Sequence, residues 1–195
     1  MVWVIPVLDV GYRSTHYWLV GSGPKRLLVD LGWPGTLGAL KMALCRAGVA
    51  LGEVRYGFAT HYHPDHAGLA EELKREGMAL LVLEGQEEAL GQMGQWVKPH
   101  ERYLPITLEG TFRLSFTESR GFLASIGIPG EILPTPGHTD HCVSLLLDDG
   151  RAFTGDLPRE EGAWDNPKAL ASWALLRRKG ARWIYPAHGP VRPLD

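Results

Sequence analysis

The chain has 195 residues, 45% of them hydrophobic and 22% charged, with a formal net charge of -2. That length suits one well-packed domain and is short for two, and the composition is that of a globular protein. The near-neutral balance excludes the basic footprint of a nucleic-acid or anionic-membrane binder, and no apolar run reaches the roughly 18 residues of a membrane span.

Residues 2–8 and 15–20 read as paired strands about a turn at Asp9-Val10-Gly11-Tyr12. Residues 26–30 form a third strand ending in a carboxylate. Leu37, Leu40 and Leu44 recur at helical spacing and Gly48 stands where a C-cap belongs, which predicts a helix over 36–47. The apolar run 54–60 predicts a buried strand. It delivers the chain into His61-Tyr62-His63-Pro64-Asp65-His66, and residues 67–75 follow as an amphipathic helix. A strand over 78–83 and a short helix over 85–92 come next.

Periodicity fails from 94 to 130, apart from a helical signal over 116–126. An irregular insert of this length is commonly a functional wall or lid. Strands are then predicted over 131–135, 142–147 and 151–154, with turns at 136–139 and 148–150. A helix over 167–179, a strand over 182–185 and the loop 186–190 complete the chain. Strands alternate with helices, yet hairpins recur, so the fold class is α/β with mixed sheets. The N-terminus lacks the basic start of a signal peptide, and Cys45 and Cys142 have no CxxC spacing. A reduced, cytoplasmic protein is the expectation.

Three imidazoles and a carboxylate on one turn are costly to bury unless hydrogen-bonded or coordinated. Divalent cations such as zinc take N and O donors of this kind. Further donors stand at strand ends: Asp30, His138, Asp156 and His188. Asp30 also reads as a cap for the next helix, and His16, His100 and His141 read as structural histidines.

In order, His61-x-His63-x-Asp65-His66, Pro-Gly-His138-Thr, Thr-Gly-Asp156 and Pro-Ala-His188-Gly resemble the motifs of the metallo-β-lactamase superfamily. Asp30 with Gly32 is similar to that superfamily's first motif. The resemblance implies a four-layer αβ/βα fold and a single domain over 1–195, with the irregular insert at about 94–130. It implies two divalent metal ions, zinc foremost, with iron or manganese as alternatives. His61, His63 and His138 would hold the first ion, and Asp65, His66 and His188 the second. Asp156 would bridge both, and Asp30 would orient the ligand turn from behind. A metal-bridging hydroxide would then be the nucleophile, with Asp65 and Asp156 as the catalytic carboxylates.

Within the superfamily, Asp156 and the missing export signal point away from antibiotic hydrolysis, and the modest length and charge away from RNA processing. The chain looks most like the glyoxalase II-like small hydrolases. It lacks their C-terminal glutathione-holding helical domain and their signature after the bridging aspartate. Acyl-homoserine lactonases resemble the site too, with a tyrosine where Arg159 stands. The expected function is a binuclear metal-dependent hydrolase of a thioester (hydroxyacylglutathione hydrolase-like) or a related ester or lactone. A small-molecule phosphodiesterase and a mononuclear iron persulfide dioxygenase-like enzyme are the alternatives. The expected partner is a small-molecule substrate, neither nucleic acid nor membrane, and the sequence leaves the oligomeric state open.

Arg159, three residues after Asp156, offers a guanidinium to a substrate carboxylate or phosphate. It reads equally well as a surface arginine paired with Glu160 or Glu161. Lys98, His100 and Arg102 alternate. In an extended segment they would join Trp96, Tyr103 and Trp164 in a cationic, aromatic-walled mouth; the competing reading is a charged surface loop over buried aromatics.

Overall fold

The computed structural model describes residues 4–194. The chain divides between Leu114 and Ser115 into two compact units. Each is built on its own mixed sheet with helices, in keeping with the predicted class.

The first unit holds a six-stranded sheet in the order β1 (Val7–Asp9), β2 (Trp18–Val20), β3 (Arg26–Val29), β4 (Val54–Phe58), β5 (Ala79–Leu83) and β6 (Phe112–Leu114). The β1–β2 and β2–β3 pairs are antiparallel, while β3–β4, β4–β5 and β5–β6 are parallel. Parallel neighbours require crossovers, and helices α1 (Leu37–Arg46), α2 (Pro64–Ala67), α3 (Ala70–Arg75) and α4 (Glu87–Gln92) lie in those connections. Leu40 and Leu44 of α1, spaced four apart, join Leu28, Leu69, Leu73 and Leu80 in one core. Gly48 ends α1 with φ 70°, as its position predicts.

The second unit holds a five-stranded sheet in the order β11 (Arg192–Pro193), β10 (Trp183–Pro186), β9 (Arg151–Gly155), β8 (Val143–Leu147) and β7 (Gly130–Pro134). Only β9–β10 is parallel. The connection between those two strands carries α6 (Pro167–Arg178), and α5 (Phe116–Ser125) precedes β7. Trp173 and Leu176 of α6 pack with Leu146, Ala152 and Ile184 from the sheet.

Several sequence expectations are corrected. The first hairpin does not turn at Asp9–Tyr12. Val10 and Tyr12 continue the ladder to Tyr17 and Thr15, and the loop is Arg13-Ser14, with Arg13 at φ 59°. Residues 2 and 3 of the expected first strand lie outside the described residues. The helix expected over 67–75 is interrupted at Gly68-Leu69, where Gly68 packs so closely on Pro34 and the Pro64 carbonyl that a Cβ there would collide. Two short strands, β6 and β11, were not foreseen, and β6 with α5 confines the irregular stretch to 97–111. No helix among the described residues is long and apolar enough to cross a membrane.

Candidate metal centre

The polar residues of interest lie just past the C-terminal ends of strands, Asp30 and His61 after the parallel pair β3 and β4, Asp156 and His188 after the parallel pair β9 and β10, and His138 after β7. In the first unit, Val29 of β3 pairs with Phe58 of β4, and each strand then runs into a site residue: Asp30 directly, and His61 two residues after Ala59. His63 is the extended N-cap of α2 and Pro64 opens the helix, where a proline costs no hydrogen bond. Asp65 and His66 therefore fall in the first helical turn beside His61.

The result is a tight cluster. The His61 and His66 rings are 4.0 Å apart between centroids, and His61 and His63 4.5 Å. His61 and His66 are fully buried, while Asp65 and His63 are partly so. Asp65 Oδ2 lies 3.4 Å from His66 Nε2 and accepts a hydrogen bond from the Thr15 hydroxyl at 3.2 Å.

Asp30 braces this cluster from behind. It is buried, with φ 63°, and its Oδ1 accepts the Thr60 N–H at 2.8 Å and the Thr60 hydroxyl at 2.9 Å. Its Oδ2 lies 3.0 Å from His66 Nδ1. A carboxylate beside Nδ1 is the arrangement that would favour a proton on that nitrogen and leave Nε2 available to a cation. Asp30 caps no helix, since Thr36 precedes α1. Thr60 Oγ1 also sits 3.3 Å from His61 Nδ1, so the hydroxyl links the His61 imidazole to the carboxylate that faces His66 directly. Buried Gln86 donates to the carbonyl of Ala59 at 3.2 Å and holds the strand end ahead of His61.

The second unit carries a polar cluster of its own. His138 lies on the turn after β7, which is fastened by Asn166 Nδ2 on the Gly137 carbonyl at 2.8 Å and Ser172 Oγ on the Pro136 carbonyl at 2.7 Å. A side chain at Gly137 would lie 2.9 Å from Ala169 of α6, so glycine allows the turn to seat on the helix. Cys142 Sγ completes the turn, accepting the Thr139 N–H at 3.3 Å. Asp156 follows β9 and His188 follows β10, and the Ala187 N–H donates to the Gly155 carbonyl at 3.0 Å. Asp156 Oδ1 is 3.4 Å from His188 Nε2, and its Oδ2 is 3.7 Å from His138 Nε2. Both separations exceed ordinary hydrogen-bond lengths. They leave room for a cation on each side of one carboxylate.

The donor sets fit a borderline divalent cation. Each unit presents imidazole nitrogen and carboxylate oxygen donors on braced loops, and packing three imidazoles this closely is costly unless they share a ligand.

The proposed substrate contacts divide. Arg159 is exposed and lines a cavity of about 220 Å³ with His138, Asp156 and His188. Glu160 is not its partner, because Arg177 forks onto that carboxylate at 2.9 and 2.6 Å. Lys98, His100 and Arg102 do not alternate along an extended segment. A turn closes there, with the Glu101 N–H on the Lys98 carbonyl and the Lys98 N–H on Glu101 Oε2, both at 2.9 Å. Arg102 and Tyr103 face a separate cavity with Gly35, Leu37 and Glu72. His100 lies on the exposed turn itself. Trp96 does reach the cluster, its ring 5.8 Å from that of His63. Thr15, Gln86, Trp173 and Arg192 were missed, since none belongs to a motif.

The profile of the metallo-beta-lactamase superfamily matches residues 10–188. Beta-lactamase-like protein 2 homolog of Caenorhabditis elegans is 29% identical over 92% of this chain and 57% of its own length. Lactamase-like protein nscB of Aspergillus fumigatus is 31% identical over 92% of this chain and 49% of its own. The chain thus spans about half the length of the curated relatives it matches. Among solved structures, a metallo-beta-lactamase motif mutant from Cronobacter sakazakii superposes with a TM-score of 0.71 at 19% identity, over 94% of this chain and 77% of that one. A metallo-beta-lactamase family protein from Thermus thermophilus superposes with a TM-score of 0.64 at 23% identity, over 97% and 74%. Profile, relatives and fold agree with the motifs carried on the strand ends, and the chain belongs to the metallo-beta-lactamase superfamily, most of whose members are metal-dependent hydrolases.

Proposed function

We propose that the two donor sets act together as a binuclear centre and that the protein is a thioester hydrolase, with esters and lactones as related substrates. The carrying observation is Asp156. Its two oxygens face different histidines, the disposition expected of a carboxylate shared between two cations. His61, His63 and His138 would hold one ion, and Asp65, His66 and His188 the other, with zinc the expected metal.

The chemistry supplied by two divalent cations in such a place is the acidification of water and the polarisation of a carbonyl oxygen. The chain's own residues do the rest. Asp65, its Oδ2 fixed by Thr15, would accept the proton of the attacking water. Asp30 keeps the His66 imidazole turned with Nε2 toward the centre. Arg159, on the cavity wall beside Asp156, would steady an anionic part of the substrate. A thiolate leaves without a strong general acid, and the buried tyrosine beside the cluster is a poor one. Burial pushes the Tyr62 phenol far above its ordinary range.

The test compares turnover of S-lactoylglutathione and bis(p-nitrophenyl) phosphate by metal-replete protein, with Asp156→Ala as the blank. Thioester cleavage that vanishes in the variant, together with lowered metal content, supports the proposal. Phosphodiester cleavage alone, or an active Asp156→Ala, overturns it.

A further inference from the structure

The cavity that Arg159 shares with His138, Asp156 and His188 has a second guanidinium on its wall, Arg192 of β11. Neither arginine has an ion-pair partner among the described residues, although acidic side chains are close by in sequence. Glu160, the nearest in sequence to Arg159, is held by Arg177 through two hydrogen bonds, and that pairing, with a smaller contribution from the Arg192 charge beyond ion-pair distance, keeps its carboxyl below the usual carboxylate range. Two positive groups thus line one small cavity with no carboxylate bonded to either. In a chain of net charge -2, this is a local concentration against the overall balance.

A single residue ties the Arg192 side chain and the backbone ahead of Arg159. Trp173 of α6 is fully buried, and its Nε1–H donates to the Pro158 carbonyl at 2.8 Å, fixing the backbone immediately before Arg159. The Arg192 guanidinium lies over the ring of the same tryptophan, 5.4 Å from its centroid, a cation–π placement that restrains a long side chain. Arg192 is therefore presented from a rigid support, and Arg159 projects from a backbone anchored at the residue before it.

We infer that Arg159 and Arg192 form a binding subsite for a carboxylate or phosphate group at one end of the substrate, next to the reacting bond. This deepens the thioester hydrolase proposal and rests on it for the identity of that bond. The cavity, about 220 Å³ and open to solvent on one side, admits a short acid-bearing arm. Planar guanidinium forks suit carboxylate and phosphate oxygens alike.

Calorimetric titration of the metal-replete full chain with succinate, and separately with inorganic phosphate, tests the subsite without any turnover. Arg159→Gln, Arg192→Gln and Arg192→Lys are compared with the wild type, each first shown to unfold at an unchanged temperature. Each glutamine variant should bind the preferred anion about tenfold more weakly, the equivalent of about 1.4 kcal/mol. Arg192→Lys should fall between, keeping the charge and losing the fork. The preferred anion identifies the group as carboxylate or phosphate. Wild-type affinity in both glutamine variants overturns the subsite. If a thioester is cleaved, the same variants should raise KM for a carboxylate-bearing substrate by a larger factor than for a neutral acetyl thioester; equal factors on both overturn it too. Arginine-dependent anion binding without any thioester turnover would sink the thioester proposal and leave the subsite standing.

Discussion

Replacing Asp30 by asparagine isolates one proton. Asparagine has the same shape and tolerates the left-handed backbone that residue 30 adopts at φ 63°. Its amide oxygen can still accept the Thr60 N–H and hydroxyl that Asp30 Oδ1 accepts at 2.8 and 2.9 Å, so the strand end stays tied. What changes is the 3.0 Å contact to His66 Nδ1, where an acceptor becomes an NH2 donor. To avoid two donors facing each other, the imidazole must move its proton to Nε2, the nitrogen a cation needs. The stability cost is one buried hydrogen bond to a charged group, about 1.5–3 kcal/mol. Metal affinity should fall about 10- to 100-fold, the usual effect of losing the partner that orients a ligating histidine. Competition against a chromogenic chelator measures the second effect, and thermal unfolding of metal-free protein the first. Wild-type affinity for every metal equivalent in Asp30→Asn would refute the tautomer argument.

Thr15→Val removes the hydroxyl held by Asp65 while keeping shape. Turnover and metal retention should fall together, by about tenfold, in the same chelator assay and a kinetic assay. Gly68→Ala forces a Cβ against the Pro34 ring and should cost at least the ~1–3 kcal/mol typical of overpacking, read as a lower midpoint in denaturant. Burial pushes the Glu71 carboxyl up, but Lys74 and the Thr107 N–H outweigh it and hold the group below the usual carboxylate range. A depressed folded pKa stabilises above the unfolded value, near 4.3, and that contribution disappears as pH falls through the folded value. Glu71→Gln should therefore be less stable than wild type at pH 7, with the difference shrinking in acid. A constant gap from neutral pH to below 4 would contradict this.

The site was legible where the backbone makes it local. His61, His63, Asp65 and His66 share six residues, and the remaining donors all directly follow strands whose apolar runs mark their ends. Asp30 was legible as a carboxylate ending a strand, though its contact with Thr60, thirty residues on, is a tertiary fact. Thr15 reaches Asp65 across fifty residues, from a hairpin whose tip lies beyond the turn that local residue types suggested. Arg192 sits in a two-residue strand, too short for any periodicity, and its neighbour Trp173 reads only as core. The aromatic, cationic mouth failed for a related reason: alternation has meaning only in extended chain, and a Glu101 carboxylate folds that segment into a turn.

Two open sheets leave four edges, and each is blunt. The outermost strands β1 and β6 have three residues apiece and β11 has two, one of them Pro193. The longest, β7, is preceded by Pro129 and ends in Pro134, while its Glu131 is tied to Arg120 and Lys179 on its flank. Short runs, prolines and charges deny a neighbouring chain the long row of unpaired donors and acceptors that sheet extension needs. Self-association through strand addition, the route from exposed edges to fibrils, is thereby disfavoured at every sheet margin among the described residues.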